Sequence, residues 1–222
     1  MKTPVTKKIL KDHFSYSWWK YSLLVILAVF GWNLVYSMTR YTPPEEKKVI
    51  VGLYGVGTGY NLDDYMLEVQ RIHLPEMEQV TPMDIVPDDT YGEMLLATRM
   101  IAGECDIYIL PTTHFQSWAA QGACQPLDEV LPDLVADLEA EGVSLSRGRR
   151  QNEDSGEKHV YGIPCRELPG AQNLLWQDPT DLYVCVYHTT GNDENVLKFM
   201  DVFIRDMLCE PPTTPTDLVP AQ

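Results

Sequence analysis

The stretch VIVGLYGVGTGYN, Val49–Asn61, decides the fold. Val49–Tyr54 is a short apolar run rich in β-formers. Such a run suits a strand buried on both faces, as in a parallel sheet. The glycine-rich turn Gly55–Asn61 follows it. Asn61 is placed to cap a helix whose first turn carries Asp63 and Asp64, where the helix dipole favours acids. Leu62, Tyr65, Met66, Val69 and Ile72 then recur at helical spacing and give that helix one apolar face.

Reading onward, Pro82 and Pro87 frame a short strand, MDIV, whose ends the prolines are expected to leave unpaired. A second helix runs from about Asp89 to Ala102. Tyr91, Met94, Leu95, Thr98 and Ile101 share a face, and Gly103 stands at its C′ position. Asp106–Leu110 is the next strand, Pro111–Thr113 its loop, and His114–Gln121 a short helix ending at Gly122. The order βαβαβα implies an α/β fold with a mostly parallel sheet, helices on its faces and right-handed crossovers. Leu127–Leu138 reads as another short helix. Ser144–Lys158, rich in Arg, Asp, Glu, Gly and Ser, reads as a mobile surface loop. Val160–Pro164 is extended, Glu167–Thr180 a loop and Leu182–His188 a strand. From Asp193 to about Cys209 a helix carries Val196, Met200, Phe203 and Met207 in one row. Four prolines make residues 210–222 a disordered tail.

Reading back towards the N-terminus, residues 40–48 form a linker to an apolar segment, YSLLVILAVFGWNLVYSMT, Tyr21–Thr39. It has no charge and is bracketed by Lys20 and Arg40. As a helix it spans about 28 Å, close to a hydrocarbon core of about 30 Å. Trp18, Trp19, Tyr21, Trp32 and Tyr36 sit where interfacial aromatics are favoured. The segment reads as a transmembrane anchor through which the chain contacts the bilayer. Residues 1–20 carry Lys2, Lys7, Lys8, Lys11 and Lys20 against Asp12, which keeps them cytoplasmic and places the part after Arg40 outside. A cleaved secretory signal is the alternative, with Val35 and Ser37 as a small-residue cleavage site. Signal cores run about 7–15 residues, and the greater length here favours an uncleaved anchor. Either way residues 49–209 form an extracytoplasmic domain.

The 222 residues carry a net charge of −15, and the basic excess sits at the N-terminus, so the remainder is more acidic still. Such a surface repels phosphates and disfavours a nucleic acid partner. The five cysteines, Cys105, Cys124, Cys165, Cys185 and Cys209, lie outside in this topology, where disulfides are allowed. An odd count leaves one free. With no CxxC, a zinc site is not expected. If one bridge forms, Cys124 with Cys165 is the expected pair, because each sits beside a proline in a loop.

This order of signals resembles the extracellular solute-binding proteins of ABC importers, a periplasmic-binding-protein-like family, and specifically their first lobe. VIVGLY opens into a helix ending near LPEMEQ, Leu74–Gln79. MDIV follows, then AGECDIYIL, Ala102–Leu110, where the family commonly has a Gly, an acid and an Asp before a buried strand. GACQPLDEV, Gly122–Val130, is similar to the family's Gly then Pro-Leu-Asp segment. VYGIP, Val160–Pro164, is similar to its Tyr-Gly-Ile-Pro near the hinge. Leu182–Ile204 is similar to its returning strand and helix. The likeness covers about Lys48–Met207. The family builds a second lobe between the hinge and the returning strand, whereas fewer than 20 residues separate Pro164 from Leu182 here. A domain of at least about 50 residues does not fit there. The resemblance therefore implies one lobe without its partner, and the two-lobe closure by which the family takes solute is not available to this chain alone.

In parallel α/β sheets ligands sit beyond the carboxyl ends of the strands. Those ends offer Tyr54, Thr58, Tyr60, Asn61, Thr112, Thr113 and Phe115. Aromatics with hydroxyls and amides suit a sugar or peptide. The competing reading is that Tyr54 and Phe115 merely close the sheet edge. Trp118 is close in sequence, and Trp176 belongs to the loop that replaces the second lobe. No cofactor is expected: Gly55, Gly57 and Gly59 alternate and depart from GxGxxG, and no Lys follows them. The five histidines have no metal spacing, and GxSxG, HExxH and EF-hand patterns are absent. The sequence therefore describes a membrane-anchored, non-enzymatic binding module for a carbohydrate or peptide, with an importer permease or a second copy as partner. The alternative is a degenerate lobe acting as a structural or protein-interaction ectodomain, which an exposed apolar patch near Val160–Leu175 would favour.

Overall fold

The computed structural model describes residues 7–57, 61–87, 91–153, 155–175, 178–188 and 192–209. The chain falls into two units that divide after Thr42. The first holds helix α1, Lys7–Thr39. Within it Trp18–Thr39, 22 residues, is long and apolar enough to cross a membrane, and none of that window is buried in the protein. At 1.5 Å per residue it spans about 33 Å. The Ser22 and Thr39 hydroxyls donate back to the carbonyls of Trp18 and Val35 at 3.2 and 2.7 Å. These polar atoms are thus satisfied within the helix, as hydrocarbon would require.

The second unit is an α/β fold. After a short 3-10 helix, Glu45–Lys47, come β1 (Lys48–Tyr54), α2 (Leu62–His73), β2 (Gln79–Ile85), α3 (Gly92–Ile101), β3 (Ile107–Pro111) and α4 (Thr112–Ala120). Then follow α5 (Leu127–Val130), α6 (Pro132–Ala140), β4 (Arg149–Gln151), β5 (Lys158–Val160), β6 (Ile163–Pro164), α7 (Ala171–Leu174), β7 (Leu182–Val186) and α8 (Asp193–Leu208). The main sheet runs β2-β1-β3-β7-β6. β1 pairs in parallel with β2 and β3, while β7 runs antiparallel to both β3 and β6.

Strands β1, β3 and β7 are buried on both faces, which is why Val49–Tyr54 shows no polar alternation. Val49, Val51 and Leu53 join Ile107, Ile109, Val184 and Val186 in one core, with α2, α6 and α8. Ile50 and Tyr54 join Tyr108, Leu110, Tyr183 and Cys185 in the other, with α3 and α4. In α8 the row Val196, Met200, Phe203 and Met207 is buried together with Phe199 and Ile204. Each such side chain contributes roughly 1.5–3 kcal/mol on leaving water.

Several expectations are corrected. The strand expected between Pro82 and Pro87 begins at Gln79, and Pro82 lies inside it opposite Val51. β2 is an edge strand. The Ile85 carbonyl faces β1, accepting from the Gly55 N–H at 3.0 Å, so the alternate residue Pro82 faces the open edge. Its missing N–H costs no ladder bond there and blunts the edge. Leu127–Leu138 is two helices, broken at Leu131 before Pro132. Ser144–Lys158 is not a loop throughout, because Arg149–Gln151 and Lys158–Val160 form a hairpin. Acids hold it. Arg149 reaches Glu139 at 2.8 Å, the Val160 N–H donates to Asp128 at 3.2 Å, and His159 lies 3.3 Å from Asp128. The segment between β6 and β7 is likewise structured, as a 3-10 turn at Cys165–Glu167, then α7, then a 3-10 turn at Pro179–Asp181. Val160, Ile163, Leu168, Leu174 and Leu175 are all buried, so the apolar residues of Val160–Leu175 make core rather than an exposed patch.

The largest correction concerns α3. Its buried residues are Gly92, Leu96 and Met100, not the expected row. Met94 and Ile101 are 63% and 84% exposed, and Tyr91 and Leu95 are also exposed. The helix is apolar on both sides, so periodicity alone offers two faces. Its end follows the sequence: Gly103 N–H donates to Met100 O and Glu104 N–H to Arg99 O, a Schellman closure. Replacing Leu96 by Ala should cost about 2–5 kcal/mol in urea unfolding with an unchanged slope, as for a fully buried leucine. Met94→Ala should stay within about 0.5 kcal/mol. The reverse ranking would restore the expected face.

Candidate functional site

The connections around β1 create the site. α2 leaves β1 for β2 on one face of the sheet, and α3 leaves β2 for β3 on the other. The chain thus departs in opposite directions from neighbouring β1 and β3. The region beyond their carboxyl ends is a topological switch point, the place where open α/β sheets bind ligands.

Four elements supply side chains there. Tyr54 ends β1, Glu93 lies in the first turn of α3, Thr112, Thr113 and His114 open α4, and Asp181 precedes β7. The Tyr54 ring lies 4.8 Å from the His114 ring. A Cβ at Gly92 would stand 3.3 Å from the Tyr54 hydroxyl and 3.1 Å from Pro87 Cα, so glycine lets the start of α3 close on the tyrosine. Glu93 Oε1 lies 3.9 Å from His114 Nε2, and the Thr113 hydroxyl 3.2 Å from His114 Nδ1. The Thr112 hydroxyl donates to the Asp181 carboxylate. Burial first, then the Glu93 charge, raise the Tyr54 phenol above its ordinary value, so it is a neutral donor at neutral pH. A carboxylate, an imidazole, a phenol and two threonine hydroxyls converge, which is hydrogen-bonding chemistry for a polar, hydroxyl-bearing ligand.

Of the residues expected from sequence, Tyr54, Thr112 and Thr113 belong to this cluster. The threonines sit in the first turn of α4 rather than in a loop, because the helix starts directly after Pro111. Asn61 caps α2 through its main chain, its carbonyl accepting from Tyr65 N–H at 2.9 Å. Thr58, Tyr60 and Trp176 lie outside the described residues. Phe115 is corrected: it is fully buried, stacked on Tyr183 at 4.4 Å with the Arg150 guanidinium 5.9 Å over its ring, and it packs core. Trp118 is drawn to Tyr108, 6.4 Å between rings. Glu93 and His114 were not among the expected site residues. Their only sequence signal is an acid and a histidine each opening a helix that follows a strand.

The glycine turn needs its glycines for backbone reasons, Gly55 and Gly57 having φ of 70° and 74°. Among the described residues no group of three or more His, Cys, Asp or Glu is placed to hold a metal. A separate hollow of about 520 Å³ lies at the opposite ends of the strands, lined by Lys48, Ile50, Met83, Glu104 and Tyr187 among others. Its charges are paired, Lys48 with Glu45 at 2.6 Å and Glu104 with Arg99 at 3.6 Å.

No family model matches the chain, and no curated protein matches it. Solved structures do. One is an extracellular solute-binding protein family 1 member from Alicyclobacillus acidocaldarius, 16% identical, covering 56% of this chain and 29% of that one, with TM-score 0.34. Another is an N-glycan transport solute binding protein from Streptococcus pneumoniae in complex with Man5GlcNAc, 17% identical, covering 53% and 24%, with TM-score 0.37. The same protein with Man1GlcNAc gives 16%, 53%, 24% and 0.36. The chain spans about a quarter of the length of these relatives.

The action of the Glu93 charge on Tyr54 is open to direct test. In Glu93→Gln the Tyr54 phenol should titrate at lower pH than in the parent, because one of the two causes holding it up is gone. Carbon NMR of ring-labelled tyrosine, with Tyr54→Phe for assignment, reads this. An unchanged titration would show that the carboxylate does not act on Tyr54.

Proposed function

We propose that this protein is a membrane-anchored, extracytoplasmic binding module resembling one lobe of an ABC-importer solute-binding protein, taking a carbohydrate or a peptide at the carboxyl ends of β1 and β3. What supports the reading is the grouping of Tyr54, Glu93, Thr113 and His114, with Thr112 beside them, at a topological switch point of the sheet. The sequence resemblance adds the family, the apolar helix Trp18–Thr39 adds the anchor, and the lysines before it add the orientation. The domains in this reading are a cytoplasmic 1–20, an anchor 21–39, a linker 40–48, a binding domain 49–209 and a tail 210–222. An importer permease is the natural partner, because a lobe that cannot close on itself needs another surface to complete capture.

A second reading, a protein-interaction ectodomain without a small-molecule ligand, is favoured by one observation. Tyr91 just before α3 and Met94, Leu95 and Ile101 on it are exposed, a row of apolar surface on an acidic chain.

Isothermal titration of a fragment beginning at Tyr41 against oligosaccharides, including mannose–N-acetylglucosamine chains, and short peptides separates the two. Binding weakened tenfold or more by Glu93→Ala or His114→Ala, about 1.4 kcal/mol or above, supports the module. No heat from any ligand, with a dimer in light scattering that Met94→Glu dissociates, supports the second reading. For the anchor, protease added to intact cells should remove the portion after Arg40 without lysis. Digestion only after lysis would place that portion in the cytoplasm.

A further inference from the structure

We propose that Cys124 and Cys185 are a matched thiol pair that closes to a disulfide, a covalent modification site that fastens the end of α4 to β7. All five cysteines are free thiols in this structure, and the Cys124–Cys165 pairing expected from sequence is not the one the fold prepares. Cys165 belongs to the core on the opposite face of the sheet from Cys124 and Cys185.

The register places the pair. Cys124 stands opposite Tyr187 in an isolated antiparallel bridge. Gln125 N–H donates to Val186 O at 2.9 Å and His188 N–H to Ala123 O at 3.0 Å, on either side of that bridge. Cys124 and Tyr187 are therefore a non-hydrogen-bonded pair, the kind whose side chains stand closest on one face. Cys185 lies two residues along β7 and projects to the same face. The two cysteines are diagonal neighbours. Diagonal Cα atoms in a regular ladder stand roughly 7–8 Å apart, and a disulfide needs under about 7 Å, so closure draws the backbone of this short bridge, held by two hydrogen bonds, about 1 Å inward. Both residues are buried in the same core. The Cys124 thiol first, then burial, raise the Cys185 thiol above its ordinary value. The Cys185 Sγ also donates to the Tyr108 carbonyl at 3.6 Å, a weak bond that closure gives up, while Cys105 lies beside Met83 Sδ at 3.7 Å and Cys209 is exposed beyond α8.

The chemistry balances with an oxidant of the disulfide class. Two S–H groups lose two protons and two electrons and one S–S bond forms, while a protein or low-molecular-weight disulfide is reduced to two thiols. Buried, neutral thiols exchange slowly, because the thiolate is the nucleophile. The bond should form as the chain folds and be shielded afterwards. It would hold the segment after α4, and so the helix that begins with Thr112, Thr113 and His114, against the central sheet.

The test refolds the full chain from denaturant into detergent with a mixture of reduced and oxidised glutathione. Remaining thiols are then alkylated under denaturing conditions and the protein is digested without reduction for mass spectrometry. The expected result is three alkylated cysteines, one linked peptide pair containing Cys124 and Cys185, and a melting temperature higher than the reduced form by about 5 °C or more. Cys124→Ala and Cys185→Ala should each give four alkylated cysteines and no linked pair, a count that holds whether or not the variant folds. Five alkylated cysteines in the parent chain, or Cys124 joined to any other cysteine, would overturn the proposal.

Discussion

Asp106 fixes three strands at once. Its carboxylate accepts the Ile50 N–H at 2.7 Å, and its own N–H donates to the Ile50 carbonyl at 2.9 Å. Its carbonyl accepts from the Tyr187 N–H at 2.9 Å. β1, β3 and β7 are thereby tied one residue before β3 begins. A carboxylate this deep is tolerable only while hydrogen-bonded, and a charged acceptor makes those bonds about twice as strong as neutral ones. A slip of one residue would leave it buried without the Ile50 donor, at a cost of a few kcal/mol. Asp106 therefore selects one register among those a row of valines and isoleucines would otherwise accept.

Register matters because both faces of the sheet are core. With Asp106 in place, Ile107 and Ile109 turn to α2 and α8, and Tyr108 and Leu110 turn to α3 and α4. A shift of one position would exchange these two sets and put tyrosine where isoleucine packs. The same assignment sends α2 and α3 to opposite faces. It makes a switch point beyond β1 and β3 and brings the first turns of α3 and α4 together there. Glu93 and His114 meet there although 21 positions separate them in the chain. At the other end of α8, Asn192 closes the frame by donating to the Lys48 carbonyl at 2.9 Å, so helix and first strand start in step.

What could be read from the sequence follows from this physics. β1, β3, β7 and α8 announce themselves because a single environment dictates each residue: a two-sided core for the strands, one apolar stripe for the helix. α3 misleads because Leu96 and Met100 compete with Met94, Leu95 and Ile101, and only the position of Gly92 against Tyr54 and Pro87 decides which set turns inward. The β4–β5 hairpin is hidden because polar side chains hold it through ion pairs with Asp128 and Glu139, and polar composition reads as loop. Tyr54, Thr112 and Thr113 could be placed at the strand ends from sequence, and their taking a ligand belongs to the proposed function. Phe115 was misplaced because α4 starts at Thr112, which rotates the fourth residue of the helix under the sheet edge. Glu93 and His114 were hidden because nothing local distinguishes them from an ordinary first-turn acid and an ordinary surface histidine.

The segment between β6 and β7 bears on where this fold would meet anything else. Leu168, Ala171, Leu174 and Leu175 are buried, and Gly170 N–H donates to the Met207 carbonyl at 2.9 Å, so this stretch is knitted to α8 and completes the core. The apolar patch that would have favoured an interaction ectodomain is not exposed there. Among the exposed apolar residues, Met94, Leu95 and Ile101 lie along α3, the helix whose first turn carries Glu93. A ligand at the crevice and a protein covering Met94 and Ile101 would therefore act on the same ten-residue helix. Gly92 seats that helix on Tyr54, so a shift of α3 under a partner would move Glu93 relative to His114. Glu93 of the polar cluster and the exposed Met94, Leu95 and Ile101 thus share one helix, with the acid in its first turn and the apolar residues along its length.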